Sequence, residues 1–288
     1  MREAATLMLV DDRPDLHVFM LRRNPRSVFG PGAFVFPGGG VDPADSAPEI
    51  TKRVIGLDDR QASARLGLPA GGLRVWIGAL REAFEEAGIL LAAPEAGTEA
   101  TTPDRLESLE PVRARLNAGD VRLAQVLADH GLVLDTSEVF LFSHWLTPEG
   151  APRRYDTWFL VAPAPKGQEG SHDDAELVHS EWVRPSDALA RYAAGDLDLI
   201  FPTLRTLRVL ERFGSAAALL DAVREANRAP DRPPLVVPDV PGQRIALPGD
   251  DTSVAVRGWR SLLSISRSDL DAAALLAEHE LAEKQGVA

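Results

Sequence analysis

The 288-residue sequence contains no cysteine. Disulfides, thiolate metal sites and a cysteine nucleophile are therefore excluded, and any metal must be bound by oxygen or imidazole ligands. Long hydrophobic runs are missing too: the segment 216–220, among the longest, is far too short to span a bilayer. We find no secretory signal at the start and no retention or peroxisomal address at the end, so we expect a cytoplasmic protein with no membrane partner.

The chain is also short of positive charge. It has 31 Lys and Arg residues against 43 Asp and Glu, a net charge of −12. Because proteins bind nucleic-acid polymers largely by neutralising phosphates, this balance argues against such a partner. A small anionic substrate is still compatible if a divalent metal ion bridges it to the protein. With 45% hydrophobic and 26% charged residues, the composition is that of an ordinary globular protein.

The apolar pattern predicts a mixture of strands and helices. We predict strands at 6–10, 17–22, 33–36, 139–146, 157–161 and 177–183, and helices at 73–87, 185–194 and 202–213. A weaker, interrupted helical pattern covers 104–130. Residues 42–72 carry Pro, Asp and Gly in a pattern that predicts an irregular excursion with one short helix.

The composition changes after Asn227. Six prolines fall between residues 228 and 248, which predicts a linker or meandering extension, followed by a helix over 267–284. We therefore predict one domain at 1–227, with an insertion at about 46–72, and an extension at 228–288. One interpretation of the extension is an oligomerisation or partner-docking segment, and a homodimer is one such assembly.

The helix predicted from Leu73 carries the clearest chemical pattern. Its apolar residues repeat at helical spacing along one side, and three carboxylates lie on the other side within one turn: Glu82, Glu85 and Glu86. Carboxylates this close repel one another unless a cation lies among them, and they suit Mg²⁺ or Mn²⁺. Arg81 lies one turn before Glu85 and can pair with it. The alternative is that these charges form a solvated helix face.

A wider pattern surrounds these residues. Positions 81–89 (R-E-A-F-E-E-A-G-I) match the second half of the Nudix box, R-E-U-x-E-E-x-G-U, and the segment 36–39 (F-P-G-G) resembles the turn that opens it. The chain is thereby identified as resembling the Nudix hydrolases. One spacing differs: Arg81 follows Gly39 by 42 positions where the family pattern has 14, leaving 28 additional residues. Asp45 occupies the place of the first Glu of the box.

The resemblance implies an α+β fold, a mixed β-sheet between helices, here with a C-terminal extension. It also implies a Mg²⁺- or Mn²⁺-dependent hydrolase that cleaves the diphosphate bond of a nucleoside diphosphate linked to another group. By that resemblance Glu85 and Glu86 are the primary metal ligands, with the Gly39 carbonyl, and Glu82 is a further ligand or the general base. Arg81 completes the catalytic set.

The base is placed on a later loop in some family members. Glu176 and Glu181 are the residues available for that role here, and a purely structural role is the alternative for both. We interpret His172 and His179 as ordinary strand or surface residues.

The long insertion resembles the branch of the family that includes the peroxisomal coenzyme A diphosphatases. Further similar stretches extend the resemblance over about residues 1–214: 22–26, 30–39, 145–148, 153–157 and 181–185. Coenzyme A or an acyl-coenzyme A is therefore the favoured substrate. The alternative substrates are ADP-ribose and a dinucleotide. A further alternative is that the protein is a sensor that binds a nucleotide without cleaving it. In the coenzyme A signature of a related branch an Arg stands where this chain has Val28.

Three arginines and one aromatic residue lie close to the box in sequence. Arg22, Arg23 and Arg26 could meet substrate phosphates, and Phe34 could stack on a base. The alternatives are solvated arginines and a core aromatic ring.

Overall fold

The computed structural model describes residues 1–27, 30–97, 109–147, 154–173 and 176–228. Some features of the sequence analysis lie outside these ranges. They are position 28, residues 104–108 at the start of the weak helical pattern, and everything predicted beyond residue 228, including the helix at 267–284. No helix within them is long and apolar enough to cross a membrane.

The described residues form strands and helices that alternate along the chain. The strands are β1 (Arg2–Asp12), β2 (Leu16–Arg23), β3 (Phe34–Val35), β4 (Gly38–Gly40), β5 (Val54–Ile55), β6 (Ala92–Pro94), β7 (Leu132–Asp135), β8 (Phe140–Leu146), β9 (Tyr155–Pro163) and β10 (Leu177–Val183). The helices are α1 (Pro48–Thr51), α2 (Asp59–Leu66), α3 (Leu73–Ala87), α4 (Glu110–Asn117), α5 (Leu123–Asp129), α6 (Pro185–Ala194), α7 (Phe201–Leu210) and α8 (Ala216–Asn227), with a 3₁₀ turn at Pro43–Ser46.

The main sheet is mixed and has seven strands in the described residues. Its path runs β10-β2-β1-β9-β8, with β3 paired to β2 and β4 paired to β1. β1 and β9 are parallel, and the remaining pairs are antiparallel. β1 is central and is buried over most of its length, which accounts for its nearly continuous apolar sequence. Helices α3 and α8 both contact this sheet, so the expected α+β fold is confirmed.

Helix α3 follows the sequence pattern closely. Its apolar residues, among them Trp76, Ile77 and Leu80, are fully buried in the core. The helix ends at Gly88, which adopts a left-handed backbone conformation (φ 67°). This conformation is higher in free energy for residues other than glycine. The glycine stop signal in the sequence was therefore correct.

The insertion is more regular than the sequence predicted. Instead of an irregular excursion with one short helix, it contains the 3₁₀ turn, α1, β5 and α2. β5 joins a second, three-stranded sheet with the order β5-β7-β6, in which it pairs with β7, a strand about 80 residues later, as in the pair Val54–Leu134. A two-residue strand leaves too little periodicity in the sequence to be recognised alone.

The insertion also supports the start of α3. Asp59 accepts hydrogen bonds from the main-chain amides of Gly71 (2.9 Å) and Leu73 (3.0 Å), and Ser63 Oγ accepts one from Gly72 (2.8 Å). Helix α3 has no side-chain cap on its own N-cap residue, Gly72. The first amides of a helix lack partners within it, so α2 supplies the cap from outside.

Candidate active site

The site lies where β4 passes the C-terminal half of α3. β4 pairs with β1 so tightly that a Cβ added at Gly38 would lie 2.6 Å from the Ala5 carbonyl oxygen. A Cβ added at Gly39 would lie 2.6 Å from the Glu82 carboxylate. These two glycines therefore permit contact between the loop and the carboxylate helix.

Arg81 is the centre of the ion-pair network. Its Nη1 donates to Glu82 Oε1 (2.9 Å) and to Glu85 Oε2 (2.8 Å), so the pair with Glu85 predicted from the spacing is formed. Its Nη2 donates to the Gly40 carbonyl (2.8 Å). One guanidinium thus joins α3 to the glycine strand in a fixed geometry, which a lysine ammonium could not reproduce.

Asp45 completes this network from the far side of the insertion. Its two carboxylate oxygens accept from Arg81 Nε (2.9 Å) and Nη2 (3.1 Å), and Oδ2 also accepts from the Asp42 amide (2.8 Å). The residue is 1% exposed. It approaches α3 closely, because a Cβ added at Gly78 would lie 3.0 Å from Asp45 Oδ2. The pairing joins the two parts of the interrupted box despite the 28 additional residues.

The three glutamates are not a solvated helix face, because Glu86 is 7% exposed and the side chains of Glu82 and Glu85 are 13% and 21% exposed. Burial, opposed by Arg81 and reinforced by Glu85, raises the pKa of Glu82 to about 7. Burial also raises the pKa of Glu85, and burial together with the nearby Glu82 raises the pKa of Glu86 well above its ordinary value. The amide of Gly38 donates to Glu86 Oε2 (2.7 Å) and opposes that rise.

Burial is the main cause of the raised pKa of each of these three acids, and a cation among them would lower that pKa by stabilising the charged carboxylate. Within the described ranges, no group of three or more His, Asp or Glu side chains is placed to hold a metal ion between them. Glu82 and Glu85 instead turn toward Arg81, and Glu86 toward the Gly38 amide. The donor set itself is all oxygen, which matches the preference of Mg²⁺ and Mn²⁺.

Two further predicted residues lie close enough to act on this cluster electrostatically. The charge of Arg23 lowers the pKa of Glu86, and the charge of Glu176 raises it. The Glu176 carbonyl accepts from the Asn24 amide (2.8 Å), which holds this segment beside the end of β2. Arg23 and Glu176 are thus within electrostatic reach of Glu86.

The other predicted substrate residues have different surroundings. Arg22 lies on the opposite side of β2 from Arg23 and donates to the Gly32 carbonyl (3.3 Å). Arg26 is exposed. Phe34 is buried between His179 (ring centroids 6.0 Å apart) and Arg191 (5.5 Å from the ring), as in the core-aromatic alternative.

The remaining acid and imidazole candidates have structural partners. Both Glu181 oxygens accept from Arg191 Nη1 (2.9 Å each), so this carboxylate is tied to α6. His172 Nδ1 lies 3.2 Å from Ser180 Oγ, and His179 Nε2 lies 3.7 Å from Glu181. The two histidines match the ordinary roles expected of them.

One residue of the site escaped the sequence interpretation. Arg113, on α4, is 2% exposed and donates to the carbonyls of Glu85 (2.9 Å) and Glu86 (2.8 Å). Its helix lies in the segment with the weak, interrupted pattern, and it has no counterpart in the box. A single arginine gives no signal of burial in the sequence.

Comparison with known proteins places this arrangement in a family. Residues 47–210 match the family model described as the NUDT19 Nudix domain. The chain is 30% identical to the acyl-coenzyme A diphosphatase NUDT19 of Gallus gallus, over 74% of this chain and 69% of that protein. It is 30% identical to the human protein of the same name, over 70% of this chain and 62% of that protein.

A solved structure supports the same fold. The chain superposes on a crystal structure of a Nudix hydrolase from Alicyclobacillus acidocaldarius with a TM-score of 0.62. The two sequences are 29% identical, and the superposition covers 77% of this chain and 96% of that one.

Proposed function

This chain belongs to the Nudix hydrolase family defined by the NUDT19 Nudix domain, and from that premise we propose that it cleaves the diphosphate bond of coenzyme A or an acyl-coenzyme A. Relatives from chicken, frog and human carry the name acyl-coenzyme A diphosphatase. The observation that carries the proposal is the buried carboxylate cluster around Arg81. The cluster has the acidic residues that the family uses for its chemistry, and it lies beside the long insertion that is typical of this branch.

Nudix hydrolases generally use divalent metals. We propose Glu82, Glu85, Glu86 and the Gly39 carbonyl as the ligands of Mg²⁺ or Mn²⁺ here, since all four are oxygen donors gathered at one loop and one helix turn. A divalent ion, when bound, would supply positive charge to the phosphoryl oxygens and lower the pKa of a water molecule.

The protein's own residues prepare the site in three ways. Arg81 holds Glu82 and Glu85 together and prevents either carboxylate from turning into solvent. Asp45 fixes Arg81 from behind. The Gly38 amide orients Glu86. These contacts hold the loop and the helix turn in place, so only the carboxylates would have to turn toward a bound ion.

The substrate would enter beside Arg23 and Glu176, which act on Glu86 electrostatically. In this proposal Arg23 attracts the diphosphate, and Glu176 accepts a proton. Arg22, Arg26 and Phe34 take no part in it. The cytoplasmic location and the homodimer expected from the sequence stay predictions, and size determination in solution would test the second.

The proposal is tested with Glu85→Gln and the matched control Glu49→Gln, since Glu49 is exposed on α1. We expect Glu85→Gln to fold normally and to lower Mg²⁺-dependent kcat by more than about 100-fold, because it removes a charged ligand rather than an outer partner. Glu49→Gln should keep full activity. Full activity in Glu85→Gln would contradict the assigned role.

The substrate is tested by incubating the wild-type protein and Mg²⁺ with coenzyme A, acetyl-coenzyme A, a long-chain acyl-coenzyme A, ADP-ribose and a dinucleotide. Mass spectrometry of the products identifies the broken bond. We expect the highest kcat/KM for coenzyme A or an acyl-coenzyme A, with two monophosphate products. A preference for ADP-ribose or the dinucleotide would overturn the substrate, and nucleotide binding without any product would indicate a sensor.

A further inference from the structure

The C-terminal end of α3 has an unusual set of partners. The last carbonyls of a helix have no amide four residues on within that helix. Here the turn at Gly88 satisfies two of the nearby carbonyls: Gly88 N donates to Phe84 O (3.0 Å), and Ile89 N donates to Ala83 O (3.3 Å). The carbonyls of Glu85, Glu86 and Ala87 remain for other parts of the chain, and the first two belong to the proposed metal ligands.

Three residues from two distant segments satisfy those carbonyls. Arg113 donates from Nε to Glu85 O (2.9 Å) and from Nη2 to Glu86 O (2.8 Å). Asn117, one turn along α4, donates from Nδ2 to Glu85 O (3.1 Å). The Ser171 amide donates to Ala87 O (2.8 Å). The carbonyls of Glu85, Glu86 and Ala87 are thereby all fixed by tertiary contacts.

Arg113 links these segments to each other as well. Its Nη2 also donates to Ser171 O (2.9 Å), and its Nη1 donates to Ser171 Oγ (3.2 Å) and to Glu110 (3.1 Å). The Arg113 side chain is 3% exposed, whereas that of Glu110 is 65% exposed. The buried guanidinium therefore makes most of its contacts with main-chain and hydroxyl oxygens and complements the negative end of the helix dipole.

We propose that Arg113 is a positioning residue for the reaction, acting through the backbone of Glu85 and Glu86. The planar guanidinium contacts two consecutive carbonyls at once and fixes the rotation of the last turn of α3, from which both carboxylates project. A lysine has one donor centre and cannot contact both carbonyls in that way. This inference rests on the proposed function, because it takes the two glutamates as metal ligands.

The test compares Arg113→Lys with Arg115→Lys, an exposed arginine of the same helix. Mn²⁺ binding is measured by titration calorimetry in the absence of substrate, well below the melting temperature, and kcat and KM are measured for an acyl-coenzyme A. We expect Arg113→Lys to raise the Mn²⁺ Kd and to lower kcat, each by about tenfold, as for other residues that orient metal ligands, with KM changed less than about twofold. Arg115→Lys should match the wild type.

A purely structural role for Arg113 would lower the melting temperature and leave the Mn²⁺ Kd of the folded protein unchanged, which would overturn the inference. If Arg113→Lys does not fold, as judged by circular dichroism, the double variant Asn117→Ala/Ser171→Ala decides. Both of its residues are exposed, and it removes two other side-chain contacts of the cluster. A Mn²⁺ Kd raised at least about twofold supports the inference, and an unchanged Kd overturns it.

Glu85→Gln separates this inference from the proposed function. If that variant binds Mn²⁺ as tightly as the wild type, the metal-ligand role itself is wrong. If it loses Mn²⁺ binding while Arg113→Lys retains it, only the positioning role is wrong.

Discussion

Asp45→Asn gives the sharpest test of how the interrupted box is held together. The substitution keeps the shape of the side chain and one acceptor oxygen, and replaces the other oxygen with an amino group. At Oδ2 the carboxylate now accepts from the Asp42 amide (2.8 Å) and from Arg81 Nη2 (3.1 Å). In the variant the amino group meets either these two donors or, with the amide turned over, Arg81 Nε, so at least one buried donor loses its acceptor at a position that is 1% exposed.

The magnitude follows from these contacts. A buried donor that loses its acceptor costs about 1–3 kcal/mol, and the loss of the negative charge beside Arg81 adds to that cost. Arg81 keeps its bonds to Glu82 and Glu85 at 2.9 and 2.8 Å, so its charge is still partly compensated. We therefore expect the free energy of unfolding to fall by about 3 kcal/mol, in the range for breaking one partner of a buried ion pair.

The assay is urea unfolding at pH 7 without added metal, with Asp42→Asn as the matched control. Asp42 is exposed and caps the 3₁₀ turn by accepting from the Ala44 amide (2.7 Å). Asn caps as well as Asp does, so the control should change stability by less than about 0.5 kcal/mol. We also expect kcat of Asp45→Asn to fall at least about tenfold, because Arg81 loses its anchor. Equal stability of the two variants would refute the argument.

Two further predictions concern the glycine strand beside the catalytic helix and the start of that helix. Gly39→Ala would place a Cβ 2.6 Å from the Glu82 carboxylate and should lower kcat at least about tenfold, whereas Gly40→Ala, with open space around it, should leave kcat unchanged. Asp59→Ala should lower the free energy of unfolding at pH 7 by about 1 kcal/mol, because it removes an external helix cap. Main-chain hydrogen bonds lower the pKa of Asp59 below 3.8, so its contribution is complete above that pH and disappears as the pH falls through the lowered pKa. Equal destabilisation by Asp59→Ala in urea at pH 7 and at pH 2 would contradict this.

The sequence by itself predicted α3 and its chemistry. Apolar residues at helical spacing, three carboxylates within one turn and Gly88 as the stop signal are all local features, and each is found in the structure as expected. The pair between Arg81 and Glu85 was predictable for the same reason, because residues four apart on a helix are neighbours. Local periodicity specifies an element without any knowledge of what it packs against.

The tertiary structure alone decided what surrounds that helix. Asp45 lies 36 residues from Arg81 in sequence, and Arg113 lies 28 residues from Glu85, so neither contact leaves a periodic signal. The burial of Glu86 and the order within the insertion depend in the same way on strands and helices that meet only after the chain folds. Contacts of this kind follow from which elements close together in space, whereas the sequence pattern reports only on neighbours along the chain.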